Sequence, residues 1–376
     1  MVSGLLLRWA CAGSVVSALV APLPLLPGAH AVPAPEKRSV TALLMDLQRL
    51  YREAEESTET YNATEEELTA QRRRVADLNR RLAAARAAAR DGRGAAGRFA
   101  RQQYQNSSVE ISSYVRLLLA RSPRGALDQR HVLRRAAAAR TPAVARLDRG
   151  ERRAQALAGA ARRALDAQES LARRRQEARD GVRARLREVE EVLASLTAAE
   201  LDALARAERR GTATAQRRLV ASGSLGTAES GRAPSAKGAR AVRYALRQVG
   251  KPYAWGAEGP SSFDCSGLTQ RAWDAGGRDI PRTSQQQWAR LPRVPLSRLR
   301  PGDLVVYYPT ATHVALYVGE GKVVHAPRPG TRVRVSPIAT NPVLGAVRPD
   351  PKARPVPDYH PPKLPEATGR AADAVL

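Results

Sequence analysis

Apolar residues that recur at every seventh position constrain this chain before anything else does. Between about 39 and 90, Leu47, Ala54, Tyr61, Leu68, Val75 and Leu82 fall seven apart with polar residues between them. That is the pattern of one long amphipathic helix, which has to bury a narrow seam against a partner. A second segment, from about 143 to 208, carries Leu157, Ala164, Leu171 and Ala178, then Val182, Val189 and Leu196. Two such seams in one chain predict an antiparallel coiled-coil hairpin over 39–208. Asp91-Gly92-Arg93-Gly94 reads as the end of the first arm. Residues 95–142, with Phe99, Tyr104 and the run Tyr114-Val115-Arg116-Leu117-Leu118-Leu119, read as shorter helices capping the distal end. The same heptads would serve a partner helix, so they leave the oligomeric state open.

The chain ends read differently. Residues 1–31 have the form of a secretory signal: Arg8 as a short positive region, an apolar stretch from Trp9 to Val20, and Ala29-His30-Ala31 as a small-residue cleavage pattern. The expected location is therefore secreted, extracellular or associated with the cell wall. The formal charge of +26 would suit nucleic acid, but an exported basic protein meets phosphate-rich wall polymers and anionic lipid instead, and most arginines read as solvated helix faces. Residues 209–236, rich in Gly, Ser, Thr and Ala, predict a flexible linker. A domain follows over 237–349, where the aromatics concentrate, and the Pro-rich 350–376 predicts a disordered tail.

Chemistry enters with Asp264-Cys265-Ser266-Gly267-Leu268. Of the two cysteines, Cys11 lies in the signal stretch, so Cys265 has no partner for an internal disulfide and is either a small core residue or a nucleophile. Asp264 can cap a helix in which Cys265, Leu268, Ala272 and Ala275 share a face before Gly276-Gly277. The sulfur then sits at the positive end of that helix, where a thiol pKa is lowered. His313, on the alternating run Thr312-His313-Val314-Ala315-Leu316-Tyr317-Val318-Gly319, is the candidate base, and His325 in Val323-Val324-His325-Ala326 is a second imidazole. If Gly319-Glu320-Gly321 is a three-residue hairpin loop, position 325 faces Ala315 and both rings share a side. A two-residue loop would put them on opposite faces. No His-Glu-x-x-His or Cys-x-x-Cys spacing supports a metal site, and no phosphate-binding loop follows the Gly-rich segments.

The joint pattern resembles the NlpC-type cysteine peptidases. Gly250-Lys251-Pro252-Tyr253-Ala254-Trp255-Gly256, Phe263 to Leu268, Ile280-Pro281-Arg282-Thr283-Ser284-Gln285-Gln286-Gln287, Leu299-Arg300-Pro301-Gly302-Asp303-Leu304-Val305 and the His313 strand follow in that family's order. The resemblance implies an α+β, papain-like catalytic domain with an antiparallel sheet, here behind a helical hairpin. It implies Cys265 as nucleophile, His313 as base and His325 as the residue that orients it, with Tyr253, Asp264, Ser266 and Arg282 lining the substrate cleft. It implies an amide of the peptidoglycan stem peptide as substrate, typically between D-isoglutamate and the diamino acid, without a cofactor. The coiled coil suggests a membrane or divisome protein partner. The competing readings are a catalytically inactive wall scaffold or binding protein, and an amidase or acyltransferase of the same fold.

Overall fold

The computed structural model of the protein describes residues 39–107, 123–226 and 233–364. The signal segment 1–31, the apolar run 114–119 and the last residues of the tail lie outside them. Among the described residues no helix is long and apolar enough to cross a membrane.

Two long helices, α1 (Val40–Ser107) and α2 (Pro123–Ala194), form the hairpin. Leu47, Ala54, Leu68 and Leu82 of the first seam are buried, as are Ala164, Leu171, Val182 and Val189 of the second. Arg93 with Glu151 and Arg185 with Glu53 pair across the arms in antiparallel order. The expected break at 91–94 is not found, and neither, among the described residues, is the expected cap of short helices: α1 runs through both glycines and carries Phe99 and Tyr104. The reason is tertiary. A Cβ on Gly92 would sit 3.4 Å from Leu147, and one on Gly150 would sit 3.7 Å from Ala89, so small residues here let the arms approach. That packing outweighs a glycine cost of about 1 kcal/mol in a helix.

The second arm ends before the expected 208. Thr197 caps a new helix, α3 (Ala198–Ala221), through a reciprocal box in which its hydroxyl accepts from the Glu200 amide at 3.3 Å and the Glu200 carboxylate accepts from the Thr197 amide at 2.8 Å. Much of the expected linker 209–236 is therefore helix. Gln216 anchors it, donating to the Gly321 carbonyl at 3.2 Å and accepting from the Ala339 amide at 3.1 Å, while Leu219 and Leu225 pack under the sheet.

The sheet has six antiparallel strands: β1 (Arg293–Val294), β2 (Leu304–Tyr307), β3 (His313–Gly319), β4 (Lys322–His325), β5 (Arg334–Pro337) and β6 (Val343–Val347), in the order β1-β6-β2-β3-β4-β5. Helices α4 (Ala236–Leu246) and α5 (Cys265–Ala275) cover one face, where Trp273 is fully buried and donates to the Gly302 carbonyl at 3.0 Å. On the other face Val305, Tyr307, Ala315 and Val323 meet Ile338 and the end of α3. Both faces being covered explains why β2 reads Leu-Val-Val-Tyr without alternation. Each fully buried Leu or Val contributes about 1.5–3 kcal/mol. The start of the tail is tied down, contrary to the expectation of disorder from 350: Arg300 pairs with buried Asp350 at 2.6 Å, and the Val356 amide donates to Pro234 at 2.8 Å.

Candidate active site

Cys265 is the first residue of α5. Asp264 caps that helix from extended backbone, its Oδ1 accepting from the Gly267 amide at 2.6 Å. Gly267 is required by close approach: a Cβ there would lie 2.4 Å from the Ala257 carbonyl oxygen, so only glycine lets the 254–257 loop rest on the first turn. The sulfur faces the start of β3, where the Val314 amide hydrogen-bonds to it, and Cys265 is only 2% exposed.

His313 and His325 are fully buried on the same side, with His313 Nε2 2.9 Å from His325 Nδ1 and the rings edge to face. The route to this register differs from the expected one. Gly319 pairs with Lys322, so the loop is only Glu320-Gly321, both at positive φ. A bulge between Tyr317 and Gly319 then shifts the pairing to Tyr317 with Val323 and Leu316 with Val324. The extra residue restores the parity that a two-residue loop alone would have reversed. His325 Nε2 reaches the Ser336 hydroxyl on β5 at 3.0 Å, a third member that the sequence reading missed. Its only signal was a polar residue facing inward from the neighbouring strand.

With both His325 nitrogens engaged and its pKa held well below the usual imidazole value by burial and then by His313, His325 is neutral. Two proton assignments meet both contacts, and the one suited to a base has His313 Nε2–H donating to His325 Nδ1 and His325 Nε2–H donating to Ser336. That leaves His313 Nδ1 as the basic nitrogen.

Arg282, from the segment before α6 (Ser284–Arg290), binds Asp264 through two nitrogens at 2.6 and 3.1 Å, Ser266 Oγ at 2.8 Å and Glu258 at 2.8 Å. Asp264, Ser266 and Arg282 thus form one buried network beside the cysteine, and Tyr253 is buried nearby with its phenol pushed well up by burial, then by Cys265 and Asp264. Among the described residues no group of three or more His, Cys, Asp or Glu has the arrangement of a metal site.

Helix α1 lies directly on this cluster. Glu55, Thr58, Glu59 and Asn62 are all buried, and at spacings of three and four they share one face. Glu59 accepts from Ser266 Oγ at 2.7 Å and from the Ser284 amide at 2.9 Å, and its Oε1 is 3.7 Å from the Cys265 sulfur. Asn62 donates to Asp264 at 3.1 Å. Glu55 Oε1 is 3.3 Å from His313 Nδ1, close enough for charge interaction but off the line of a hydrogen bond. The expectation of a lowered thiol pKa fails in this closed form: burial, then Glu59, Asp264 and Glu55, push the Cys265 thiol well up. Those α1 residues were not singled out from sequence, where they count only among the polar residues between the heptad positions.

The arrangement is that of a papain-like α+β domain: a cysteine at a helix start against an antiparallel sheet that carries the histidines. Residues 250–346 match the NlpC/P60 family, and this domain belongs to it. The chain is similar to "Probable endopeptidase Cgl2188" of Corynebacterium glutamicum, 45% identical over 116 residues that cover 31% of this chain and 56% of that protein. It is also similar to "Peptidoglycan endopeptidase RipA" of Mycolicibacterium smegmatis, 37% identical over 29% of this chain and 25% of that one. Among solved structures, the NlpC/p60 domain of peptidoglycan hydrolase SagA is 35% identical over 30% of this chain and 97% of that chain, with a TM-score of 0.28. The chain thus spans about half the length of the first curated relative and a quarter of the second.

Proposed function

We propose that this chain is an exported cysteine endopeptidase of peptidoglycan, cleaving the stem peptide between D-isoglutamate and the diamino acid. The observation that carries the reading is the single buried cluster in which Cys265, at the start of α5, meets the strand holding the His313–His325–Ser336 chain. The names of the relatives support peptidoglycan as the substrate.

In the proposed reaction His313 Nδ1 takes the Cys265 proton, and the thiolate attacks the scissile carbonyl carbon. First-turn amides of α5, that of Cys265 among them, are the candidate donors to the oxyanion. The C–N bond breaks as His313 returns the proton to the leaving amine. Water, deprotonated by His313, then cleaves the thioester. His325 and Ser336 hold His313 in the tautomer that leaves Nδ1 basic.

Digestion of purified sacculi, followed by mass spectrometry of the fragments, tests the reading. New termini at the D-isoglutamyl bond support it. Binding to sacculi without cleavage would favour the inactive-scaffold alternative, and release of intact stem peptides would favour an amidase.

A further inference from the structure

We propose that α1 is a built-in inhibitor of this site, with the Glu59 and Glu55 side chains as its two pins, one filling the polar pocket beside Cys265 and the other standing beside Nδ1 of His313. The inference deepens the endopeptidase reading and rests on it.

Burying a carboxylate or an amide is costly unless its hydrogen bonds are met. Glu59 and Asn62 meet partners some two hundred residues away in sequence, Glu59 with Ser266 and the Ser284 amide and Asn62 with Asp264, while Glu55 Oε2 is buried without a hydrogen bond. Hydrophobic residues flank the pins, with Tyr61 edge-on to Trp255 at 5.0 Å between ring centroids. Arg328 fixes the proximal end, stacked 4.5 Å over the Tyr51 ring while paired with Glu208 of α3. Helices α1 and α3 therefore hold the domain from two sides.

A substrate carbonyl has to reach the sulfur, and Glu59 stands 3.7 Å from it. A carboxylate there opposes formation of the thiolate. Glu55 stands 3.3 Å from His313 Nδ1, in the space that the thiol proton has to cross. Docked α1 therefore excludes substrate and opposes the thiolate at once. Opening α1 removes both acidic side chains and the desolvation together.

Charge reversal in the full-length mature chain tests this. In Glu55→Lys/Glu59→Lys, the rate of Cys265 alkylation by iodoacetamide, read by intact mass, is expected to rise at least tenfold, with circular dichroism showing the helices retained. Glu59→Ala, which removes the contacts to Ser266 and the Ser284 amide, serves as the second variant and is expected to give a smaller rise in the same direction. Alkylation within twofold of wild type in both folded variants would overturn the inhibitor. If alkylation rises while muropeptide hydrolysis does not, the inhibitor stands and the endopeptidase reading fails. Should the charge-reversed chain not fold, Glu59→Ala alone decides, an unchanged rate overturning the proposal.

Discussion

His313 Nε2 lies 2.9 Å from His325 Nδ1 because a one-residue bulge on β3 compensates for a two-residue loop. The contact fixes which nitrogen of His313 is free, and Ser336 fixes His325 in turn. His325→Ala is expected to lower kcat on a stem-peptide substrate by about ten- to a hundredfold with little change in KM, since orienting a base contributes to the transition state more than to binding. Ser336→Ala is expected to cost a few-fold. Steady-state kinetics on both variants, made in a chain with α1 released, check the order. A loss for Ser336→Ala larger than that for His325→Ala would contradict the chain of hydrogen bonds.

Arg282 and Asp264 form a buried ion pair at 2.6 Å that also caps α5. Arg282→Ala leaves Asp264 buried without its cation, and breaking such a pair costs about 3–5 kcal/mol. The urea midpoint is expected to fall accordingly. Replacing Gly267 with Ala should also destabilise, by about 1–3 kcal/mol, because the new methyl would overlap the Ala257 carbonyl.

How much of this could be read in advance depended on whether a feature was local. The start of α5 was legible because Asp264, Cys265 and Gly267 specify the cap within four residues, and the heptads of α1 and α2 specified a helical pair. The bulge at Val318 was not legible, since it is defined by the pairing of two strands rather than by either alone. Helix 198–221 carries its capping box at Thr197 and Glu200 in the sequence, but its second half was read with the Gly, Ser and Thr of the following segment as linker, and the contacts of Gln216 and Leu219 that hold it are known only from the fold. The acidic stripe of α1 was not legible, because nothing in its own sequence says that Ser266 and the Ser284 amide lie opposite.

Closure by α1 is expected to depend on pH. Burial, then Asp264, raises Glu59 from 4.5 to about 7, while Ser266, Arg282 and the Ser284 amide act in the opposite direction. A raised acid takes up a proton on docking, so its contribution to the closed form is full below about pH 4.5 and is lost as pH rises through about 7. Hydrogen exchange of residues 51–65 at about pH 5 and about pH 8 checks this: wild type should lose protection at the higher pH, and Glu59→Gln should lose less. Equal losses in both would contradict the assignment.

The central claim is that Cys265, served by His313, cuts a peptide bond once α1 is displaced. Its most direct measurement is kcat/KM on a synthetic L-alanyl-γ-D-glutamyl-diamino acid peptide for the Glu55→Lys/Glu59→Lys chain, with and without Cys265→Ala. The account predicts turnover in the first chain, less than about a thousandth of it in the second, and unchanged thermal stability between them. Comparable turnover in both, or none in a folded chain whose Cys265 alkylates freely, would contradict it.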